Sequence, residues 1–257
     1  MEHETIYTPE VIGCLELGWG PGWLSPGGSE DVRELISETD VAGKFILDIG
    51  VGTGGPTRVL VQEFGAGQVM GIDIEQSVLD RAQTLNRVEN LEDRISLQRV
   101  VPGKLPFPDA HFDIVFSKDS FVHVADKVTL FSEIHRVLKP GGCCLFSDWC
   151  CGSPPYSEEM EGFLANGMNF SMATIEETRR HLGEAGFLDI TVKDRNAWFV
   201  DYAIRELEAA RGAKRARFVR EVGRETADRL AAAATRRATI AKQGHLRPTH
   251  LRATKPA

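Results

Sequence analysis

Apolar and polar positions follow two different periods along most of this chain. Short apolar runs of strand length, bounded by turn residues, occur at residues 45–49, 68–74, 95–101, 112–117, 143–149 and 187–195. Apolar residues spaced three or four positions apart predict helices at residues 57–64, 77–88, 126–138 and 174–185. Strands that alternate with helices are typical of a parallel sheet with helices on both faces.

The N-terminal segment departs from this alternation. Residues 1–28 show little helical periodicity but contain many large apolar and turn-forming residues. Such a segment folds only against other parts of a protein, so we expect a lid over a binding site, with packing across the sheet edge as the alternative. Ser29 is expected to cap a helix that runs to about Thr39, with acidic residues in its first turn.

The C-terminal segment is predicted to be mainly helical. Residues 198–243 have a helical pattern with breaks at Gly212 and Gly223, and residues 249–255 have the pattern of a final strand. We therefore divide the chain into three parts, namely a lid (1–28), an α/β core (29–197) and a helical insert with the final strand (198–257).

A glycine-rich loop follows the first predicted strand. Gly50, Gly52 and Gly55 match the G-x-G-x-x-G pattern, which by itself suggests a dinucleotide site. Asp48 lies two residues before the first glycine, where a carboxylate can meet a ligand's ammonium group or fix the loop. Asp73 ends the second strand, at the position that holds ribose hydroxyls in such sheets. The two acids favour S-adenosylmethionine over a dinucleotide, and the whole pattern resembles class I methyltransferases.

The composition is that of an ordinary globular protein, but its charge is unevenly spread. The 257 residues are 42% hydrophobic and 26% charged, enough for one well-cored domain with an added lobe. Residues 195–257 contain 15 Lys and Arg against 6 Asp and Glu, whereas residues 1–194 contain 15 against 31. A basic segment raises the hypothesis of nucleic-acid binding. Because its arginines are interleaved with acids at helical spacings, we expect instead a helical face that docks on the acidic core.

The sequence also bears on compartment and metals. It has no apolar run near the ~20 residues of a membrane span, and its acidic start does not resemble a secretory signal. The cysteines form no C-x-x-C pattern and have no histidine at metal-ligand spacing; they are Cys14, Cys143, Cys144, Cys150 and Cys151. We therefore expect a cytoplasmic protein with reduced cysteines, no metal and no membrane partner.

The most reactive residue types follow the fourth predicted strand. Ligands bind at the carboxyl ends of strands in open α/β sheets, and this strand is followed by Asp119 and His123. If the segment between them is helical, the two side chains lie one turn apart on the same face. A single histidine is usually structural, but this position at the tip of a central strand favours a catalytic role.

Several motifs together are similar to the phosphoethanolamine N-methyltransferases. They are Tyr7 ahead of Leu24-Ser25-Pro26-Gly27-Gly28, the Asp48–Gly55 loop, Gly71-Ile72-Asp73-Ile74, Ser117-Lys118-Asp119 with His123, Leu138-Lys139-Pro140-Gly141-Gly142 and Ser147-Asp148-Trp149-Cys150. The resemblance extends over most of the chain. It implies a seven-stranded, Rossmann-like class I methyltransferase sheet with an N-terminal lid and a helical insert before the last strand.

The resemblance also implies a reaction and its residues. S-adenosylmethionine would be the cofactor, and the amine nitrogen of a small molecule would accept the methyl group. Tyr7 and His123 match the family's catalytic pair, and Asp119 matches the residue that orients the amine. The implied cofactor-binding residues are Leu24, Ser25, Asp48, Gly50, Gly52, Asp73, Ile74, Val101 and Ser117. The implied substrate-binding residues are Trp149, Met168, Phe170, Arg236 and Arg237.

Two departures from the family pattern concern recognition. Val101 stands where the family has an acid that holds the adenine amino group. Trp149, Met168 and Phe170 stand where the family has Tyr, Arg and Tyr for the substrate phosphate, and only a basic residue near Arg236 or Arg237 is retained. The expected acceptor is therefore of the phosphoethanolamine type or a related amine that lacks phosphate.

Two other functions are compatible with the sequence. The same fold methylates a thiol, an oxygen or a carbon of a small natural product if the nucleophile differs. A cofactor-binding or RNA-binding module that has lost catalysis is the non-enzymatic alternative, and the presence of Tyr7, Asp119 and His123 argues against it. The oligomeric state does not follow from the sequence.

Overall fold

One mixed sheet forms the centre of the protein. The computed structural model describes residues 5–165 and 168–257, and within them the sheet has seven strands. The strands are β1 (Phe45–Ile49), β2 (Gln68–Asp73), β3 (Ile95–Arg99), β4 (Phe112–Lys118), β5 (Leu138–Cys151), β6 (Leu188–Asp194) and β7 (Leu246–Thr254). Their order is β3-β2-β1-β4-β5-β7-β6, as expected for a class I methyltransferase sheet. The predicted fold class is thereby confirmed.

Nine α-helices accompany the sheet in the described part of the chain. They are α1 (Pro9–Trp19), α2 (Gly28–Ile36), α3 (Gly55–Gln62), α4 (Gln76–Val88), α5 (Lys127–Val137), α6 (Glu158–Leu164), α7 (Ile175–Glu184), α8 (Asn196–Arg211) and α9 (Arg215–Lys242). A 3₁₀ turn, Phe121–His123, follows β4.

The sheet topology determines where a ligand-binding crevice lies. Strands β1, β2, β3, β4 and β5 pair in parallel, whereas β7 pairs antiparallel with both β5 and β6. The strand order reverses between β1 and β4, so the carboxyl ends of these two strands border a crevice. Both strands are almost entirely buried because helices cover the two faces of the sheet.

The helical insert consists of α8 and α9. Gly212 ends α8, and inside α9 Gly223 adopts φ 78° and ψ 163°, which is a break in the helix. Both glycine breaks are therefore found where the sequence predicts them. Small and aromatic side chains of the two helices, such as Phe199, Ala203 and Ala238, pack in one apolar cluster with Trp149 of β5.

The N-terminal lid differs from the sequence prediction. It contains an 11-residue helix, α1, for which Thr8 accepts a hydrogen bond from the Val11 amide, with Pro9 as the first helical residue. These residues form a helix start signal. The apolar periodicity of α1 is weak because the helix buries only Ile12 and Leu17. A helix that packs against several neighbours need not have a one-sided apolar stripe, so the absence of such a stripe does not exclude a helix in this segment.

Other predicted boundaries also need correction. Helix α2 begins at Gly28 after Gly27, which has φ 97°, so Ser29 lies inside the first turn and is not the cap; the helix ends at Ile36. Strand β5 begins at Leu138, earlier than the predicted Cys143. Helix α6 has no counterpart in the sequence prediction, because its seven residues span too few turns to show a period.

Three further features of the fold concern its cysteines, its potential metal ligands and the length of its helices. All five cysteines are free, and four of them are buried. No group of three or more His, Cys, Asp or Glu among residues 5–165 and 168–257 is arranged to hold a metal ion. Within the same ranges, every helix is too short or too polar to cross a bilayer.

Candidate active site

The glycine loop lies between β1 and α3, under the N-terminal lid. The Gly50 amide donates to the Ile72 carbonyl at 2.8 Å, and the Gly52 amide donates to Asp73 Oδ2 at 3.0 Å. At Gly55, a Cβ atom would stand 2.4 Å from the Gly22 carbonyl oxygen. Only glycine allows this close contact, so the lid backbone packs directly on the start of α3.

Asp73, the predicted ribose-binding residue, joins the glycine loop to β2. Its second oxygen, Oδ1, accepts a hydrogen bond from the Glu75 amide at 3.0 Å. Burial raises the pKa of Asp73, and backbone donors oppose that rise. Each carboxylate oxygen has two lone pairs, so both retain capacity for a ligand hydroxyl.

Asp48 makes a contact different from those of Asp73. Its carboxyl is buried and accepts a hydrogen bond from the Thr57 hydroxyl of α3, and burial raises its pKa to about 7. Of the two roles that the sequence allows, this geometry corresponds to fixing the loop, because β1 and α3 are tied together through it.

The remaining predicted cofactor residues are dispersed. The Ser117 hydroxyl donates to the Ile49 carbonyl at 2.8 Å, which joins β4 to β1. Ile74 follows β2, and its carbonyl accepts from the Arg99 side chain. Val101 is 79% exposed beyond the end of β3, and its hydrocarbon side chain has no hydrogen-bonding group. Leu24 and Ser25 belong to the lid and line the neighbouring cavity.

Tyr7 and His123 are brought together from the lid and from the end of β4. Tyr7 Oη lies 3.2 Å from His123 Nε2, and His123 Nδ1 lies 3.0 Å from the Met168 carbonyl oxygen. A carbonyl only accepts, so Nδ1 carries the hydrogen and Nε2 is the free base when the ring is neutral. Burial lowers the pKa of His123 and raises that of Tyr7. The pair is therefore a neutral imidazole acceptor with a phenol donor.

The position of Asp119 corrects the helical expectation. Asp119 has φ 56°, which is left-handed, and only Phe121–His123 form a 3₁₀ turn, so Asp119 and His123 do not share a helix face. Both nevertheless line one cavity. Asp119 accepts from the Ser147 hydroxyl at 2.7 Å and from Lys118 Nζ at 2.6 Å.

Lys118 is a buried residue beside the site to which the sequence analysis assigns no role. Its side chain is 2% exposed and lies between two carboxylates, at 2.6 Å from Asp119 and 3.2 Å from Asp31 of α2. It also donates to the Pro26 carbonyl of the lid at 2.9 Å. Burial alone would lower the pKa of Lys118, but the two carboxylates hold it above its ordinary value. Only the Ser-Lys-Asp run at the strand tip signals it in the sequence, because Asp31 and Pro26 are remote along the chain.

A cavity of about 260 Å³ opens beside the Tyr7–His123 pair. Its aromatic wall consists of Trp149, Phe163 and Phe170, with the centroids of Phe163 and Phe170 at 5.0 Å and those of Trp149 and Phe170 at 6.0 Å. The His123 ring lies 5.3 Å from Phe170. Phe163 belongs to α6, the helix that the sequence pattern does not reveal.

The predicted substrate residues all border this cavity. Trp149, Met168, Phe170, Arg236 and Arg237 are among its lining residues. Arg237, however, is engaged by Glu206 of α8, with Nη2 at 2.7 Å from Oε1. Arg236 donates to the Gly162 carbonyl at 3.4 Å.

Comparisons with known proteins agree with this architecture. A model of the methyltransferase domain matches residues 47–146. Phosphoethanolamine N-methyltransferase 1 of Arabidopsis thaliana is 28% identical over 223 residues, which are 86% of this chain and 44% of that protein. Phosphoethanolamine N-methyltransferase 2 of Caenorhabditis elegans is 31% identical over 206 residues, covering 79% of this chain and 46% of that protein. The chain thus spans less than half the length of these curated relatives.

A solved structure is similar over nearly the whole chain. Haemonchus contortus phosphoethanolamine N-methyltransferase 2, in complex with phosphomonomethylethanolamine and S-adenosylhomocysteine, has a TM-score of 0.91 at 27% identity and covers 98% of this chain and 59% of its own. A second structure of that enzyme contains S-adenosyl-L-methionine, the cofactor that the sequence analysis predicts for this chain. The chain thus contains a region that matches the methyltransferase domain, has the fold of the class I methyltransferases, and over most of its length is similar to the phosphoethanolamine N-methyltransferases.

Proposed function

We propose that the protein methylates the amine nitrogen of a small molecule. The observation that carries this proposal is the 3.2 Å contact between Tyr7 Oη and His123 Nε2 at the wall of the cavity. An amine is protonated at neutral pH and attacks only after it loses a proton, so its methylation needs a base at the site. A neutral imidazole oriented by a backbone carbonyl supplies that base.

The chain's own residues divide the work of this reaction. S-adenosylmethionine, when bound, supplies an electrophilic methyl group, and the glycine loop with Asp73 would hold it. The Tyr7 hydroxyl passes its proton to His123 Nε2 as its oxygen takes the proton of the amine, so His123 is the final proton acceptor. Asp119 anchors the amine before transfer. The lid, through Tyr7 and Leu24, keeps water out, which matters because in-line displacement depends on alignment and desolvation.

The aromatic wall suits both substrate and product. Each is cationic in one protonation state, and a methylated ammonium is attracted to aromatic faces. Trp149, Phe163 and Phe170 offer such faces next to His123. The acceptor belongs to the phosphoethanolamine type or is a related amine without phosphate. No nucleic-acid partner is part of this proposal, and a cytoplasmic location stays a prediction.

The test is a methyl-transfer assay on acceptors that share one carbon skeleton and differ in the reacting atom. A primary amine, the matching thiol and the matching alcohol are each incubated with S-adenosylmethionine, and S-adenosylhomocysteine formation is measured. We expect the amine to react fastest. A higher rate with the thiol or the alcohol would favour the alternative, a methyltransferase that acts on sulfur or oxygen. No S-adenosylhomocysteine with any acceptor would contradict the proposal.

A further inference from the structure

The acceptor cavity has a second wall that differs from the aromatic one. Helices α1, α8 and α9 contribute it, and its apolar members are Leu15, Ala210, Phe218, Leu230, Ala233 and Ala234. Small-molecule sites are mostly apolar with a few polar groups that fix orientation. Here the reacting groups Tyr7, Asp119 and His123 lie in the same cavity as this second, largely aliphatic wall. The wall is therefore available to the part of the acceptor that does not react.

The cation best placed to hold an anionic group already has a partner. Arg237 and Glu206 form an ion pair at 2.7 Å, with side chains only 15% and 17% exposed. Trp19 Nε1 donates to the same Glu206 carboxylate at 2.9 Å, and the Arg237 guanidinium lies 5.5 Å from the centroid of the Trp19 ring. An anion near Arg237 would meet the Glu206 carboxylate and would have to displace it.

The two other cations at the cavity also have identified contacts. Lys214 donates to the Gly18 carbonyl at 3.2 Å, and Arg236 donates to the Gly162 carbonyl at 3.4 Å. Both residues are exposed, where solvent screens their charge. Among the described residues, the basic side chains that line this cavity are thus paired or at its rim.

We propose that the acceptor is an amine joined to an uncharged apolar group, such as an alkyl or arylalkyl chain. The amine lies at Asp119 and His123, and the apolar group occupies the wall formed by α1, α8 and α9. This inference rests on the proposed amine methylation and specifies the remainder of the acceptor. It excludes a phosphorylated amine as the preferred substrate.

A chain-length series tests the inference. Methyl transfer is measured with ethylamine, butylamine, hexylamine, octylamine and 2-phenylethylamine, and with phosphoethanolamine. We expect kcat/KM to rise by up to about fourfold per buried methylene until the cavity is full. Phosphoethanolamine should react with a lower kcat/KM than hexylamine. A higher value for phosphoethanolamine overturns the inference and leaves amine methylation intact.

A parallel binding experiment separates the two ways of failing. Calorimetry with the protein loaded with S-adenosylhomocysteine measures the affinity of the same amines without turnover. If affinity rises with chain length but only thiols of the same chain length are methylated, the apolar site stands and the amine proposal fails. If affinity does not depend on chain length, the apolar site is wrong.

Two matched variants locate the site. Ala233 and Ala232 are neighbouring exposed residues of α9, but only Ala233 lines the cavity. Ala233→Phe should lower kcat/KM at least tenfold more for octylamine than for ethylamine, whereas Ala232→Phe should change neither. Equal effects of the two variants would overturn the placement.

A variant of Glu206 tests the role of the Arg237–Glu206 ion pair. Glu206→Gln keeps an acceptor for Trp19 but removes the negative charge opposite Arg237. We expect its KM for phosphoethanolamine to fall at least fivefold, with that for hexylamine within twofold. An unchanged KM for phosphoethanolamine would mean that the Glu206 carboxylate does not exclude the anion.

Discussion

A backbone carbonyl sets the tautomer of His123, and the lid supplies its side-chain partner, Tyr7. The Met168 carbonyl at Nδ1 leaves Nε2 to face Tyr7. From the sequence, both residues were identified through their family positions, and the structure brings them together. The carbonyl at Nδ1 could not be foreseen, because a backbone contact leaves no side-chain pattern.

The first prediction concerns this pair. His123→Ala should lower kcat by about 10²–10⁴, the usual contribution of a positioned base, without changing the affinity for S-adenosylmethionine. Tyr7→Phe should lower kcat less, because the ring still closes the lid. Steady-state kinetics and calorimetry give the two quantities. A near wild-type kcat for His123→Ala at neutral pH would show that alignment alone drives the reaction.

The pH profile provides a second measure of the same pair. Burial holds the pKa of His123 below its ordinary 6.5, so the base is neutral and competent at pH 7. The rising limb that belongs to His123 should therefore have its midpoint below pH 6.5 and should be absent in His123→Ala.

A separate prediction concerns Asp48. Its folded pKa of about 7 lies above the ordinary value of 3.8, so between these values the folded protein holds a proton that the unfolded chain releases. The stability contributed by this proton is present at low pH and is lost as pH rises toward and through 7. The Tm of the wild type should fall more steeply from pH 5 to pH 8 than that of Asp48→Asn. Exposed Asp93, changed to Asn, serves as the control, and parallel curves for wild type and Asp48→Asn would contradict the prediction.

At the scale of secondary-structure elements, Lys118 connects the lid, α2 and the end of β4. Its ammonium group contacts Pro26, Asp31 and Asp119, and its side chain is almost completely shielded from solvent. A strand-tip lysine is ordinarily expected to reach solvent, and nothing in the sequence pattern indicates its burial. What the pattern misses is that the lid and α2 each bring an acceptor to the same point.

Removing this connection should be costly. Lys118→Met leaves the Asp31 and Asp119 carboxylates buried without their shared cation, which should cost about 3–5 kcal/mol of unfolding free energy. Lys139→Met breaks the more exposed pair with Asp113 and should cost less than about 1 kcal/mol. Urea unfolding measures both. Equal losses in the two variants would show that the buried network contributes no more than a surface pair.

The break in α9 supports a further prediction. Gly223 has φ 78°, and a Cβ atom added there would have open space around it, so an alanine is strained by backbone conformation alone. Gly223→Ala should destabilise the protein by about 1–3 kcal/mol. Gly183 of α7 also has open space but an ordinary φ, and Gly183→Ala should stabilise by about 0.5–1 kcal/mol. Thermal unfolding with the opposite sign at either site would contradict this account.

The elements that the sequence predicts best are those with a long, regular period. Strand and helix alternation through the core is reproduced, whereas α1 and α6 escape the pattern. Helix α1 buries only Ile12 and Leu17, and α6 has only seven residues. Both helices line the acceptor side of the site, so the least predictable elements are those that shape the cavity.

At the scale of the whole molecule, part of the basic charge of the C-terminal segment is paired within the helical insert. Arg217 pairs with Glu221, Arg215 with Asp228, and Arg237 with Glu206. The sequence prediction of helices with interleaved charges fits this arrangement, although these acids belong to the insert and not to the core.

We therefore predict that the protein binds nucleic acid at most weakly and without sequence specificity. Paired cations release few counterions on binding a phosphate backbone, so affinity should be low and its salt dependence shallow. Fluorescence anisotropy with labelled DNA and RNA, across a salt series, measures both. Tight binding with a steep salt slope would show that the insert is a nucleic-acid surface.

The antiparallel strand β7 has a consequence for how the protein is made. Strand β6 pairs with β7 and not with β5, and β7 occupies the place between them. During synthesis, β6 emerges from the ribosome before the two helices of the insert and has no hydrogen-bonding neighbour in the sheet until residues 246–254 follow. Its edge and that of β5 stay open to other nascent chains for that interval. The time needed to translate α8 and α9 is thus a period of exposure to aggregation, which the strand order requires and the length of the insert sets.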